Sequence, residues 1–256
     1  MNMNCKYKYI YSTVYLLILI AFTGCSASVD IKAANDKSAQ AQVKLNLGKI
    51  LCDTIDSLTA GINEISASGT QSAPETAQIF SKQEIETAFS GSDFQDLKVE
   101  VPAKDSVSIS GTIPSPENQK SFSDKGNLKI ANFITCTKNS LTLILSPATL
   151  RTFASSLPEE TRSYLDLLMA PVLTQESMSA QEYRELVSTV YGEKMAAEME
   201  SAQVRITLCP PDGASIKKTS LSSTERARTL ANKAVLNIPL SEFLTLSEPK
   251  TFSITW

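Results

Sequence analysis

Histidine is absent from all 256 residues. That absence excludes Ser-His-Asp and Cys-His catalysis, zinc sites built on His, and HExxH proteases. An enzyme built from this chain would need paired carboxylates, a Ser-Lys dyad or a metal held by oxygen atoms. Glycine is scarce at nine residues, and no GxGxxG, Walker or EF-hand loop occurs, which argues against a phosphate-cradling loop. No two cysteines stand in a CxxC spacing, so the metal and redox motifs of that type are missing as well. Charge of either sign is thin before Cys25, where Lys6 and Lys8 stand alone. With 24 basic and 27 acidic residues in the whole chain, the part from Cys25 onward carries 22 and 27, a net of -5. So mild an acidity gives no reason to expect nucleic acid or anionic lipid as a partner. The one long apolar run, Val14 to Phe22, is shorter than the ~20 residues that span a bilayer.

What the N-terminus does hold is the three-part order of an export signal. Lys6 and Lys8 come first, the apolar run follows, and the small residue Gly24 precedes Cys25. The residues Phe22-Thr23-Gly24-Cys25 resemble the lipobox of bacterial lipoproteins, with Phe22 standing where the family usually has Leu. The resemblance implies cleavage after Gly24, lipidation of Cys25 as the new N-terminus, and a place in the cell envelope outside the cytoplasm. Three acyl chains, at ~0.8 kcal/mol per buried methylene, make such a tether effectively permanent. Ser26 after the cysteine matches the residue type that accompanies outer-membrane sorting in enteric bacteria, and the unusual Phe22 matches the relaxed lipoboxes of spirochaetes. The general texture of the chain is similar to that of uncharacterised small spirochaete lipoproteins, a likeness that implies no reaction. The alternative is an ordinary secretory signal cut elsewhere, leaving Cys25 free or removed.

The organisation expected is a signal over residues 1–24, a flexible tether over 25–39 and a single α+β domain over 40–256. Ser26 to Ala39 is small and polar and suggests a tether. Ala39, Ala41, Val43, Leu45 and Leu47 alternate as a strand facing a core. A short helix carrying Ile50, Leu51, Ile55 and Leu58 is expected next, and Gly61 to Thr76 reads as a loop. Ser81 with Glu84 forms a capping box that predicts a helix from Lys82 to Phe89. Hairpins are predicted around Pro102-Ala103-Lys104-Asp105 and around Lys138-Asn139, with a surface loop from Pro114 to Ser123. Helix starts are expected at Ser146-Pro147, at Ser156 with Glu159 and at Ser179 with Glu182, the last opening one helix to about Ser201. Its buried stripe would include Tyr183, Val187, Val190 and Met195. Val204 to Leu208, Val235 to Ile238 and Phe252 to Trp256 read as strands, Leu240 to Leu246 as a helical turn, and Lys217 to Asn232 as a short helix or an exposed loop. The order of elements predicts a mainly antiparallel sheet with a cluster of helices in the middle of the chain.

After Cys5 and Cys25, three cysteines remain: Cys52, Cys136 and Cys209. They read as buried thiols, with a Cys136–Cys209 disulfide as the alternative. The pairs Glu159/Glu160 and Glu198/Glu200, and the Ser-Lys neighbours at Ser215-Lys217-Lys218 and Ser121-Lys125, read as ordinary helix and loop residues. The terminal Phe252-Ser253-Ile254-Thr255-Trp256 resembles the last strand of an outer-membrane barrel, but the helical middle excludes a barrel and assigns Trp256 to the core. Leu165 to Leu173 is apolar around most of a helix and reads as a central core helix, or as the lining of a groove for an apolar ligand. No catalytic residue, metal or cofactor is expected. The leading functional expectation is a non-enzymatic, membrane-tethered module that binds an envelope protein or other envelope component. A carrier or sensor of an apolar ligand comes second, and a His-free hydrolase of envelope polymers third.

Overall fold

The computed structural model of the chain describes residues 25–66, 79–115, 133–157, 168–221 and 227–256, with the single positions 117, 159, 162, 163 and 166. The export signal, most of the loop from Pro114 to Ser123, and much of the helix expected to start at Ser156 lie outside the described residues.

Alternation of apolar and polar residues builds the strands, and their pairing starts earlier in the chain than expected. The first strand, β1 (Ser26–Ala33), turns through residues 34–38 into β2 (Ala39–Asn46), and the two pair antiparallel along their whole length. The segment expected to be a tether is therefore strand. Ala27, Val29, Ile31 and Ala33 alternate with Ser26, Ser28, Asp30 and Lys32, so one face is apolar and the other polar. Helix α1 (Lys49–Ser66) follows, with Leu51, Cys52 and Ile55 buried. It runs through Gly61 into the stretch expected to be a loop.

Helix α2 (Lys82–Phe89) has Ser81 as N-cap, its hydroxyl accepting the Glu84 N–H at 3.4 Å, as the capping pattern predicts. Strands β3 (Gln95–Ala103) and β4 (Ser106–Ile113) form the first hairpin; β5 (Ile134–Cys136) and β6 (Ser140–Leu145) form the second. Helix α3 (Pro147–Ser156) starts in a capping box between Ser146 and Thr149. The short α4 (Pro171–Thr174) is preceded by Met169 in the left-handed region at φ 46°. That turn breaks the run from Leu165 to Leu173, so its described residues do not form one apolar helix.

The helix expected from Ala180 to Ser201 is two: α5 (Ala180–Tyr191) and α6 (Glu193–Ser201). Gly192 separates them at φ 87°, a conformation that costs other residues strain. The break shifts the buried stripe to Tyr183 and Val187, then Met195, Ala196 and Met199, and leaves Val190 exposed. The remaining elements are β7 (Gln203–Cys209), β8 (Lys218–Leu221), β9 (Ala227–Leu230), β10 (Lys233–Pro239), α7 (Leu240–Leu244) and β11 (Lys250–Thr255). The stretch from Lys217 to Asn232 thus supplies two strands. It lacks a regular apolar period because both are sheet edges.

Among the described residues the strands form two sheets, in the orders β3-β4-β2-β1-β7-β10-β9 and β5-β6-β11-β8. Every pairing is antiparallel except β1 with β7, which is parallel. The fold is α+β with mainly antiparallel sheets, as the sequence predicts. One continuous core joins the inward face of the larger sheet to the helices and to Leu141, Phe252 and Ile254 of the smaller sheet. The two sheets meet where the Ile216 N–H donates to the Ala231 carbonyl, the Lys217 N–H to the Thr255 carbonyl, and the Thr229 hydroxyl to that of Thr219. Trp256 is half-buried against the core.

Candidate functional site

Cys25 lies one residue before the central strand β1, and its side chain turns inward, 7% exposed. Its Sγ accepts the Gly48 N–H at 2.9 Å. Burial raises the thiol above its ordinary pKa and the nearby Glu198 carboxylate raises it further, while the Gly48 N–H opposes both.

Gly48 sits where the chain leaves β2 and enters α1, and Glu198 reaches across from α6. The Glu198 carboxylate accepts the Ile50 and Leu51 N–H groups, each at 3.1 Å, and so caps the first turn of α1. A Cβ on residue 48 would come within 2.3 Å of that carboxyl group, so glycine is required for the approach. Sequence reading took Glu198 and Glu200 as ordinary helix residues. In the fold the two separate: Glu198 caps α1, and Glu200 pairs with Arg184 Nε at 3.2 Å. A signal for the Glu198 cap would have been the lack of any Ser, Thr, Asp or Asn at position 48.

Cys52, one turn into α1, lies close enough to Cys25 to feel its charge. Burial, then Asp105, push its thiol up to about 11. Cys136 and Cys209 are free thiols in different sheets, both raised above the ordinary value by burial. Thiols held neutral in this way are poor nucleophiles at neutral pH. Ser215 and Lys217 lie on the connection from β7 to β8, and Glu159 is exposed. Ser121, Lys125 and Glu160 lie outside the described residues. Among the described residues no group of three or more acidic or Cys side chains converges as a metal site, and no helix is long and apolar enough to cross a membrane.

The outward face of the larger sheet is a second feature, one that needs strand register to be seen. Lys44, Ser28, Arg205 and Asn237 stand side by side on β2, β1, β7 and β10. In the neighbouring row Gln42, Asp30 and Thr207 continue to Val235 and Arg228. Arg205 Nε donates to Asn237 Oδ1 at 3.4 Å, and Gln42 Nε2 to the Ser108 hydroxyl at 3.3 Å. Lys32 pairs with Asp212 at 2.8 Å, and Lys98 with Glu100 at 2.5 Å.

No family model matches the chain, and no curated protein matches it either. Among solved structures, the NMR structure of the folded domain of the Mycobacterium tuberculosis LppM protein is similar to it at 7% identity and a TM-score of 0.35, over 92% of each chain. A likeness of that size carries no argument about function.

Proposed function

We propose that the chain is a lipoprotein of the cell envelope, cleaved after Gly24, lipidated on Cys25 and carrying a non-enzymatic binding domain outside the cytoplasm, with the outer membrane as its favoured site. The lipobox residues Phe22 to Cys25 carry this reading. The first strand begins at Ser26, directly after the residue that would bear the lipid. The proposal also alters the picture of the anchor. With β1 starting one residue after the lipid, no free tether separates domain from bilayer, and the end of the sheet bearing Ser26, Asn46 and Gln203 rests against the headgroups.

A lipid on Sγ cannot share the buried position beside Gly48. Lipidation therefore requires Cys25 to swing out of the domain, freeing the Gly48 N–H at a cost of about 1 kcal/mol. The central part of β1 keeps its pairing on both sides and holds the domain together.

The test is fractionation of cells expressing the wild-type chain and Cys25→Ala. The wild type should enter the detergent phase and the membrane fraction, and the variant should leave both. Equal partitioning of the two would overturn the anchor.

A further inference from the structure

The strand register sorts the connections of the larger sheet into two ends. Ser26 opens β1 level with Asn46 at the close of β2, Ser106 at the start of β4 and Gln203 at the start of β7. The β3–β4 turn at Lys104-Asp105 and the entry to α1 therefore lie at the Cys25 end. Strands β1 and β7 are parallel, so the turn of residues 34–38 and the loop from Pro210 to Gly213 lie together at the other end. The rise of the eight-residue β1 puts about 26 Å between the two ends. At the far end Lys32 and Asp212 pair at 2.8 Å.

At the Cys25 end the tip of the β3–β4 hairpin is exposed over Pro102, Ala103 and Lys104. It stands three strands from β1 in the order β3-β4-β2-β1, about 14 Å to one side. Two contacts join it to the start of α1: the Leu47 N–H donates to the Asp105 carbonyl at 2.9 Å, and Lys104 pairs with Asp56 at 2.9 Å. Lys49, in the first turn of α1, pairs with Asp53 at 2.6 Å. Hairpin tip and helix start thus form one shelf, in which each lysine is matched by a carboxylate.

We propose that this shelf is a second contact with the membrane, resting on the phospholipid headgroups beside the lipid on Cys25. The inference rests on the lipoprotein reading and deepens it. A lipid one residue before β1 leaves no slack in the link, so the Cys25 end of the sheet is held at the bilayer surface. The lipid alone is a single pivot; the shelf, level with it and to one side, is the second support that keeps the strands upright. Paired lysines give the shelf little attraction for anionic lipid, so the contact comes from the short link and not from charge. The turn of residues 34–38 and the loop from Pro210 to Gly213 then face away from the bilayer, where an envelope partner can reach them.

The experiment uses the full mature chain purified from membranes and reconstituted in phosphatidylcholine vesicles with acyl chains brominated next to the headgroup. Trp256, the one tryptophan of the chain, is replaced by Phe, and a single reporter is placed by Ala103→Trp on the shelf, Asn35→Trp at the far end or Gln40→Trp on the outward face, all exposed positions. Bromolipid should quench the reporter at 103 about twofold and leave the one at 35, about 26 Å away along β1, unchanged. The reporter at 40 should also be unchanged, and neither salt nor added phosphatidylglycerol should alter the pattern. Pro102→Trp takes the place of Ala103→Trp if that variant loses its unfolding transition. Cys25→Ala carrying the reporter at 103 should show no quenching. An acylated chain quenched equally at all three positions, at none of them, or chiefly at 40 would overturn the shelf and leave the anchor standing. Quenching at 103 that disappears in salt, or that survives Cys25→Ala, would overturn it too. A chain whose intact mass shows no acyl groups on Cys25 would overturn the anchor and the shelf together.

Discussion

Strands β1 and β2 lie side by side for eight residues, yet sequence reading assigned one to the core and the other to a tether. Their patterns are equally regular. In β2, Ala39, Ala41, Val43 and Leu45 alternate with polar residues; in β1, Ala27, Val29, Ile31 and Ala33 do the same. The difference lies in context. Small residues just after a presumed lipidation site suggest a linker by composition, and composition outweighed the period of two. The more buried of the pair is β1, which has β2 on one side and β7 on the other, with Ile31 1% exposed. Period is the better guide when the two disagree.

That comparison can be broken first at Ile31. Ile31→Ala should lower unfolding stability by about 2–5 kcal/mol in urea titrations, whereas Val43→Ala on half-buried Val43 should cost about 1 kcal/mol. A tether would show no effect at position 31. Next in size is the joint between the Cys25 end of the sheet and α1. Gly48→Ala should displace the Glu198 carboxylate and lower stability by about 1–2 kcal/mol, with Glu198→Ala costing a similar amount and the double variant little more. Additive losses would show that residue 48 acts on its own.

A pH titration sharpens the same region. Cys52 is neutral below its ordinary value of 9.0 and is held neutral up to about 11 in the fold. Its folded value is raised, so the stability it contributes is complete below pH 9 and is lost as pH rises toward 11. Wild type should lose unfolding stability across that window more steeply than Cys52→Ala; parallel slopes would contradict the burial of the thiol. The smallest effect is expected on the outward face of β1. Lys32→Ala breaks an exposed pair with Asp212 and should change stability by less than about 1 kcal/mol. A larger loss would mean that the outward face holds the fold together as the inward one does.

Much of the fold was legible because its signals are local. Ser81, Ser146 and Ser179 cap the helices their patterns announce, and the turns at Lys104-Asp105 and after Thr137 fall within predicted hairpins. What escaped depends on distant partners or on backbone conformation. Gly192 sits inside an unbroken amphipathic pattern, and only its positive φ shows that two helices meet there. Strands β8 and β9 bury too little to show an apolar period. The Glu198 cap and the side-by-side placement of Lys44, Ser28, Arg205 and Asn237 join residues far apart in the chain, and no spacing in the sequence brings them together. Cys25 itself was found by motif; its inward turn and contact with Gly48 were not.

The central claim is that a lipid on Cys25 leads directly into the central strand. Intact-mass spectrometry of the protein purified from its native membrane tests it most directly. The account predicts a chain beginning at Cys25 with the added mass of acyl groups, and no such species from Cys25→Ala. An unmodified chain cut at any other residue would contradict it.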